Sequence, residues 1–292
     1  MYSNRLYSPL RYPGGKASFA KYIGALMTAN NLDGGHYLEP YAGGAGVALD
    51  LLFSSQASHI HINDADPAIY DFWTSVVGNS GALLDLLEAT PITMEEWFKW
   101  RQILRGERTA SQLERGFATL FMNRTNRSGI LKAGVIGGVN QNGEYKLDAR
   151  FKKEVVANRI LEVASRANQI SVYCEDSFDL LQRAEEFLPT KSLIYLDPPY
   201  YVKGKGLYRN YYQHEDHLEI AGLIQSGDFK WPWIVSYDNA AEINDMYGES
   251  KSLSYGLNYT AQRRYVGSEV MFFAPMLHVE EGTAPKSMKL AG

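Results

Sequence analysis

Short apolar runs alternate with amphipathic stretches along most of the chain, and that alternation sets the expected fold. Residues 17–30 space their apolar positions three and four apart and predict a helix. "HYLEPYAGGAGVALDLL" then reads as strand, glycine turn and helix, and "HIHINDADPAIYDFW" as a second strand, turn and helix. The same pattern returns in "QISVYCEDSFDLLQRAEEFL", "KSLIYLDPPY" and "WPWIVSYDNAAEINDMY". Strands that alternate with helices need crossover connections, so the chain is expected to form an α/β domain with a mostly parallel sheet. The last stretch, "SKSLSYGLNYTAQRRYVGSEVMFFA", holds two strand-like runs with no helix between them, which predicts an antiparallel hairpin at the sheet edge.

The rhythm breaks over 83–168. "MEEWFKWRQILRG" and "SQLERGFATLFMNR" have helical spacing, and "SGILKAGVIGGVNQNGEYKL" is glycine-rich and strand-like. The expected organisation is a main domain built from 1–82 and 169–292 around a smaller, mainly helical insertion at 83–168 that carries a β-hairpin. Charge strengthens this division. The chain as a whole has a formal net charge of −4, which excludes a protein that is basic all over. Yet residues 99–132 hold eight Lys and Arg against two Glu, a local balance of +6. A basic stripe of this kind is either a solvated helix surface or the footprint of a polyanion.

Composition closes other routes. A chain of 292 residues with 45% hydrophobic and 21% charged residues fits a globular protein of one large domain plus an insertion. Its one cysteine, Cys174, excludes an intramolecular disulfide framework and a Cys-rich zinc site, and points to a reducing compartment. The first residues carry no apolar signal core, and no later run approaches a membrane span, so a cytoplasmic protein with no membrane partner is expected.

The candidate chemistry gathers where the predicted strands end. In "EPYAGGAGV", Pro40 and Tyr41 lead into Gly43, Gly44 and Gly46, which permit a sharp turn and a close approach of backbone to a ligand. The same glycines also suit plain helix–strand packing. In "INDADP", Asp64 stands about 20 residues beyond the glycines, the spacing of an acid that takes ribose hydroxyls, while Asp66 before Pro67 suits a helix N-cap. In "YCEDSFDLL", Asp176 and Ser177 either meet a base edge or cap a helix. In a parallel sheet all of these turns lie on the carboxyl edge, where ligands bind.

"YLDPPYY" ends a strand on that same edge. Pro198 and Pro199 fix φ and restrict the residues before them, so the backbone around Asp197 is stiff. A carboxylate and the Pro198 carbonyl then stand side by side next to Tyr200. That group is suited to accept both hydrogens of an exocyclic amine and to stack a ring on a planar base.

Asp-Pro-Pro-Tyr at 197–200, "EPYAGGAG" and the leading "RYPGGK" resemble, in this order, the Dam-type N6-adenine DNA methyltransferases of the alpha arrangement, over nearly the whole chain. The resemblance implies a Rossmann-like methyltransferase domain that binds S-adenosylmethionine and no metal. It also implies a prokaryotic or phage-encoded protein, with a cognate restriction endonuclease as a candidate partner beside double-stranded DNA. By the same resemblance Tyr12, Gly14, Gly15 and Lys16 lie near the methionine part, with Lys16 offering its cation to the carboxylate. The Tyr41 to Gly46 loop passes under the cofactor, Asp64 takes the ribose, and Asp176 and Ser177 approach the adenine. Asp197, Pro198, Pro199 and Tyr200 form the catalytic turn, with Asp197 also beside the cofactor.

The Lys203 to Gly206 stretch after that turn reads as a mobile loop or a plain surface loop. Asp216 and His217 read as capping and packing residues at a helix start.

"FMNRTNRSGILKAGVIGG" resembles the recognition hairpin of that family. Asn123, Arg124, Asn126, Arg127, Ser128 and Lys132 carry donors suited to phosphates or base edges. Arg11 joins them, and Arg263 and Arg264 form a further basic pair. Base contact is expected of Arg11, Arg127 and Lys132. Relatives that read GATC tend to carry an aromatic where Arg127 stands and an arginine where Lys132 stands, so a different adenine-containing site is expected here. Asp197, rather than Ser or Asn, favours adenine over N4-cytosine or an RNA base as the target. A catalytically inactive DNA-binding module would show a broken catalytic turn or cofactor loop, and both are intact.

Overall fold

A computed structural model of the chain describes residues 7–11, 16–201, 212–259, 265–279 and 289–290. Its regular elements, in order, are α1 (Ala20–Ala29), β1 (Gly35–Glu39), α2 (Gly46–Phe53), β2 (Ala57–Asn63), α3 (Pro67–Gly78), α4 (Ser80–Ala89), α5 (Met94–Leu104), α6 (Gln112–Thr125) and α7 (Lys153–Ala164). They continue with β3 (Ile170–Tyr173), α8 (Ser177–Gln182), β4 (Ser192–Leu196), α9 (His214–Ile224), β5 (Trp233–Asp238), α10 (Ala241–Met246), β6 (Lys251–Tyr259), β7 (Tyr265–Phe273) and β8 (Lys289–Leu290). The expected helix at 17–30 opens as a single 3-10 turn, Ala17–Phe19, before α1. Two compact units result. Of the described residues, one comprises those in 16–65 and 173–290, and the other those in 7–11 and 66–172. The second unit therefore takes in 66–82 as well as 83–168, and the chain crosses between the units after Ala65 and within β3.

The sheet runs in the order β3-β2-β1-β4-β5-β7-β6-β8. β1 pairs in parallel with β2 and β4, and β4 with β5. β7 enters antiparallel between β5 and β6, so the terminal hairpin is β6–β7, with the two-residue β8 outside it. This is the mostly parallel sheet that the alternating pattern implies, in the Rossmann-like arrangement that the resemblance implies. β4 and β5 are buried along their whole length, which is why they read as continuous apolar runs rather than alternating ones.

The turn after β1 is sharp for a physical reason. Gly43 has φ 46°, and Ala45, buried, is also left-handed at φ 48°. A Cβ on Gly46 would stand 3.0 Å from that of Ala17, so the helix start and the 3-10 turn approach closely there. Such strain at a non-glycine persists where its surroundings hold it. Here the turn is tied by Ala42 N–H to the Asn63 carbonyl (2.8 Å) and Ala45 N–H to the Ala42 carbonyl (2.6 Å).

The second unit is helical. Asp66 caps α3 through Ala68 N–H (3.0 Å), ahead of Pro67 at the first helical position. Ser111 and Glu114 form a capping box at α6. α3 and α6 pack tightly at Gly116, where a Cβ would lie 2.5 Å from the Asp71 carbonyl oxygen. Asp71 is buried and receives Arg115 Nε at 2.6 Å. Trp100, Phe117, Phe121 and Phe151 form an aromatic cluster within this unit. The hairpin expected after α6 is reduced to one antiparallel bridge, Asn126 with Val135. A 3-10 turn (Arg127–Gly129) with Ser128 at φ 57° and Gly129 at φ 76° coils this segment instead of extending it.

No helix among the described residues is long and apolar enough to cross a membrane.

Candidate active site

The first unit brings Asp197, Lys16, Tyr200, Ser236 and Glu269 together around the end of β4. Asp197 follows the buried run Ser192–Leu196 directly, so its backbone is fixed by the sheet on one side and by Pro198 on the other. Asp197 Oδ1 accepts the Ser236 hydroxyl (2.8 Å) from the end of β5 and pairs with Lys16 Nζ at 3.2 Å. Among the described residues Oδ2 takes no donor, and the Asp197 side chain is 28% exposed. One oxygen is thus held and the other is available. Tyr195 supports Ser236 from beneath with a 2.9 Å hydroxyl contact.

Lys16 is buried, and its Nζ also pairs with Glu269 Oε2 (3.2 Å) and donates to the Tyr200 hydroxyl (3.3 Å). Its charge lies between two carboxylates. Burial pulls the ammonium down, but Asp197 and Glu269 more than offset this and hold it above the usual lysine value. Burial pushes the Asp197 carboxyl up, helped by the Glu269 charge, while Lys16 and Ser236 oppose the rise. The cation expected to meet a methionine carboxylate is therefore committed to Asp197 and Glu269, as burial requires of an unsolvated ammonium.

Tyr200 is also turned inward. It is 6% exposed, and its hydroxyl donates to Glu269 Oε1 at 2.8 Å. A ring so covered does not present an open stacking face in this arrangement. Pro198 is buried and Pro199 half-buried. The Tyr201 N–H donates to Asp238 Oδ1 (2.8 Å), which fixes the exit of the turn.

The glycine turn carries a second acid group. Asp64 Oδ2 accepts Gly43 N–H at 2.9 Å, so the acid expected on a ribose also pins the loop. Pro40 offers its carbonyl to Asn63 (2.9 Å) and to the Ser177 hydroxyl (3.1 Å). Ser177 is thus a buried tie, and Asp176 is the N-cap of α8 through Phe178 N–H (2.8 Å). The Tyr41 hydroxyl donates to that of Tyr212 at 3.1 Å. Glu39, at the end of β1, is 6% exposed, and its Oε1 takes both Tyr37 O–H (3.0 Å) and Ala48 N–H (3.1 Å). Oε2 takes no donor among the described residues. Burial raises this carboxyl to about 8.

His217 is buried with Nδ1 3.0 Å from the Tyr237 hydroxyl, and burial lowers it to about 4, in keeping with a packing role. Tyr12, Gly14 and Gly15, the 203–206 loop, and Arg263 and Arg264 lie outside the described residues. No group of three or more His, Cys, Asp or Glu that could hold a metal ion occurs among the described residues.

The predicted recognition residues divide by environment within the second unit. Arg127 and Lys132 are exposed, and Ser128 is half-buried. Asn123 is buried and clamps the backbone of Arg11, accepting its N–H (2.7 Å) and donating to its carbonyl (2.8 Å) and to that of Gly129 (2.9 Å). Asn126 is buried too, accepting Trp97 Nε1–H (2.8 Å) and donating to the Ile130 and Leu131 carbonyls. Arg124 is buried against the Pro9 carbonyl, and burial with Arg159 and Arg11 nearby lowers it to about 10. Asn123, Arg124 and Asn126 are thus buried and bonded to protein groups, whereas Arg127 and Lys132 are exposed. Arg11 is half-buried, with Nη1 buried and without a hydrogen-bond partner among the described residues.

Glu39, Ser236, Glu269 and Asp238 were not anticipated. An acid inside the apolar run "SEVMFF" and the polar end of "WIVSYD" were the available signals.

Residues 12–261 match the profile of a family described as D12 class N6 adenine-specific DNA methyltransferases. A curated relative, the Type II methyltransferase M.MjaIII of Methanocaldococcus jannaschii, is 22% identical over 206 residues, which cover 65% of this chain and 68% of that protein. Among solved structures, a candidate RNA methyltransferase of Pyrococcus horikoshii is 9% identical with a TM-score of 0.40, over 91% of this chain and 85% of that one. M. capricolum TrmK in complex with S-adenosyl-homocysteine is 6% identical with a TM-score of 0.37, over 88% of this chain and 71% of that one.

Proposed function

The chain belongs to the D12 class of N6 adenine-specific DNA methyltransferases, and from that premise we propose that it transfers a methyl group from S-adenosylmethionine to N6 of an adenine flipped out of duplex DNA. The observation that carries the reading is Asp197, with Oδ1 held by Ser236 and Lys16 and Oδ2 left to a new donor.

The residues present fit such a cofactor. Glu39 Oε2 takes no donor among the described residues, an ammonium beside it would draw this raised carboxyl into its ionised form, and the Gly43–Asp64 bond holds the turn beside it. Glu39, Tyr41, Gly43, Gly44 and Gly46 would hold the methionine part and line its path, with Asp64, Asp176 and Ser177 toward the nucleoside. When bound, the cofactor supplies an electrophilic methyl group on a sulfonium.

The protein's task is to make a poor nucleophile adequate. The N6 lone pair is delocalised into the purine ring. Asp197 Oδ2 and the Pro198 carbonyl accept the two N6 hydrogens, which localises the lone pair and favours the positive charge that develops on nitrogen. Acceptors held in place before reaction do this without reorganising. Lys16 and Ser236 keep the carboxylate ionised and aimed. The proton leaves the product amine for solvent, so His217 is not required. The amine is unreachable within a stacked duplex, which is why extrusion of the base is part of the proposal. With Tyr200 covered, stacking would require a rearrangement of the turn on DNA binding.

Exposed Arg127 and Lys132 are the proposed readers or phosphate contacts of the target site. The Type II relative also supports an endonuclease of the same site as partner, and DNA as substrate supports a cytoplasmic location. Labelled methyl donor with duplex DNA or RNA tests the reading. Label in adenine of DNA supports it, and label only in cytosine or in RNA contradicts it.

A further inference from the structure

β7 places a fully buried carboxylate behind the catalytic turn. Glu269 sits opposite Asp238 of β5 and Tyr255 of β6. Its Oε1 accepts the Tyr200 hydroxyl (2.8 Å), and its Oε2 accepts the Tyr255 hydroxyl (2.9 Å) and pairs with Lys16 (3.2 Å). A buried ion pair is a poor source of stability, because desolvation cancels much of its attraction, and an apolar residue would serve a sheet interior as well or better. Its presence at this place calls for a role other than stability.

We propose that Glu269 is a positioning residue for methyl transfer: it fixes the Lys16 ammonium and the Tyr200 hydroxyl, so that Lys16 closes off Asp197 Oδ1 and Oδ2 alone faces the amine. The inference rests on the role of Asp197 given above. Without Glu269, Asp197 would be the one carboxylate left to Lys16 among the described residues, and Tyr200 would lose the acceptor that anchors the residue after the two prolines. Among the described residues the charged and titratable groups around this carboxylate include Lys16, Tyr200, Tyr255, Tyr195 and Asp197, with Asp238 its register partner on β5 and Glu39 beyond. Glu269 and Asp197 repel each other through the shared lysine, so removing the Glu269 charge leaves Lys16 to stabilise the Asp197 carboxylate alone.

The test is Glu269→Gln, which keeps the shape and the oxygen that accepts a hydroxyl but removes the charge. Single-turnover methyl transfer into duplex DNA should fall by about tenfold or more, the loss of one charge-assisted contact. Affinity for cofactor and DNA should stay within about twofold. Independently of turnover, the Asp197 carboxyl, followed by 13C NMR and assigned with Asp197→Asn, should titrate at lower pH in Glu269→Gln than in the native protein. Glu269→Asp, which keeps the charge on a shorter stem, should lose rate while leaving that midpoint near its native place, and it serves if the amide variant does not fold. A native rate, or a lowered rate with an unmoved midpoint, overturns the proposal. If the native protein labels no DNA, the proposed function fails, and the carboxyl titration still decides whether Glu269 governs Asp197.

Discussion

Replacing Glu39 by Gln should change how stability depends on pH, and the size follows from its burial. The native protein keeps this carboxyl protonated up to about pH 8, whereas the unfolded chain releases the proton near its ordinary value of 4.5. Between those values the folded state binds more protons than the unfolded one, so stability falls as pH rises through the window and levels off above it. At 1.36 kcal/mol for each pH unit, the loss across the window is about 5 kcal/mol. A glutamine keeps an oxygen for Tyr37 O–H and Ala48 N–H but does not ionise. Urea denaturation of both proteins from about pH 5 to about pH 9, followed by far-UV circular dichroism, reads the difference at each pH, and other titrations cancel in that difference. The Gln variant should gain on the native protein steadily toward alkaline pH. Differences that stay constant within about 1 kcal/mol across the range would refute the claim that Glu39 is buried and resists ionisation.

Other outcomes follow from the same geometry. Gly129→Ala should cost about 2–4 kcal/mol, because φ is 76° and the new Cβ would stand 2.4 Å from the Arg11 carbonyl oxygen; an unchanged melting temperature contradicts the close approach. Arg127→Ala and Lys132→Ala should alter which adenine sites are methylated if the side chains read bases. A uniform loss on all DNA with a shallower salt dependence would make them phosphate contacts instead. The acid limb of the methyl-transfer rate should lie above the range of an ordinary aspartate, because Asp197 must be ionised and its environment raises it; a single-turnover pH profile with a limb at or below that range contradicts this.

The strand–turn–helix units were legible in the sequence because each carries its own signal: an apolar run, a glycine or Asp-Pro turn, and helical spacing. The division of the chain was less so. α3 follows β2 in the same rhythm as the other crossovers, yet it belongs to the second unit through close packing with α6 at Gly116, and no local pattern announces that. Side-chain environment was hard to read from the sequence where polar residues lie inside. Asn123 and Asn126 look like donors for a ligand, but their partners are backbone groups of a coiled loop, and α6 is buried on every side from Gly116 to Thr125. The ion pairs of Lys16 were not legible for a related reason, since Asp197 and Glu269 are remote in sequence and meet it only through the sheet order.

The most direct measurement compares the native protein with Asp197→Ala in transfer of labelled methyl groups to duplex DNA, with cofactor binding followed in parallel. The account predicts label in adenine for the native protein, and loss of transfer with cofactor binding largely intact for the variant. Retained turnover in Asp197→Ala would contradict it.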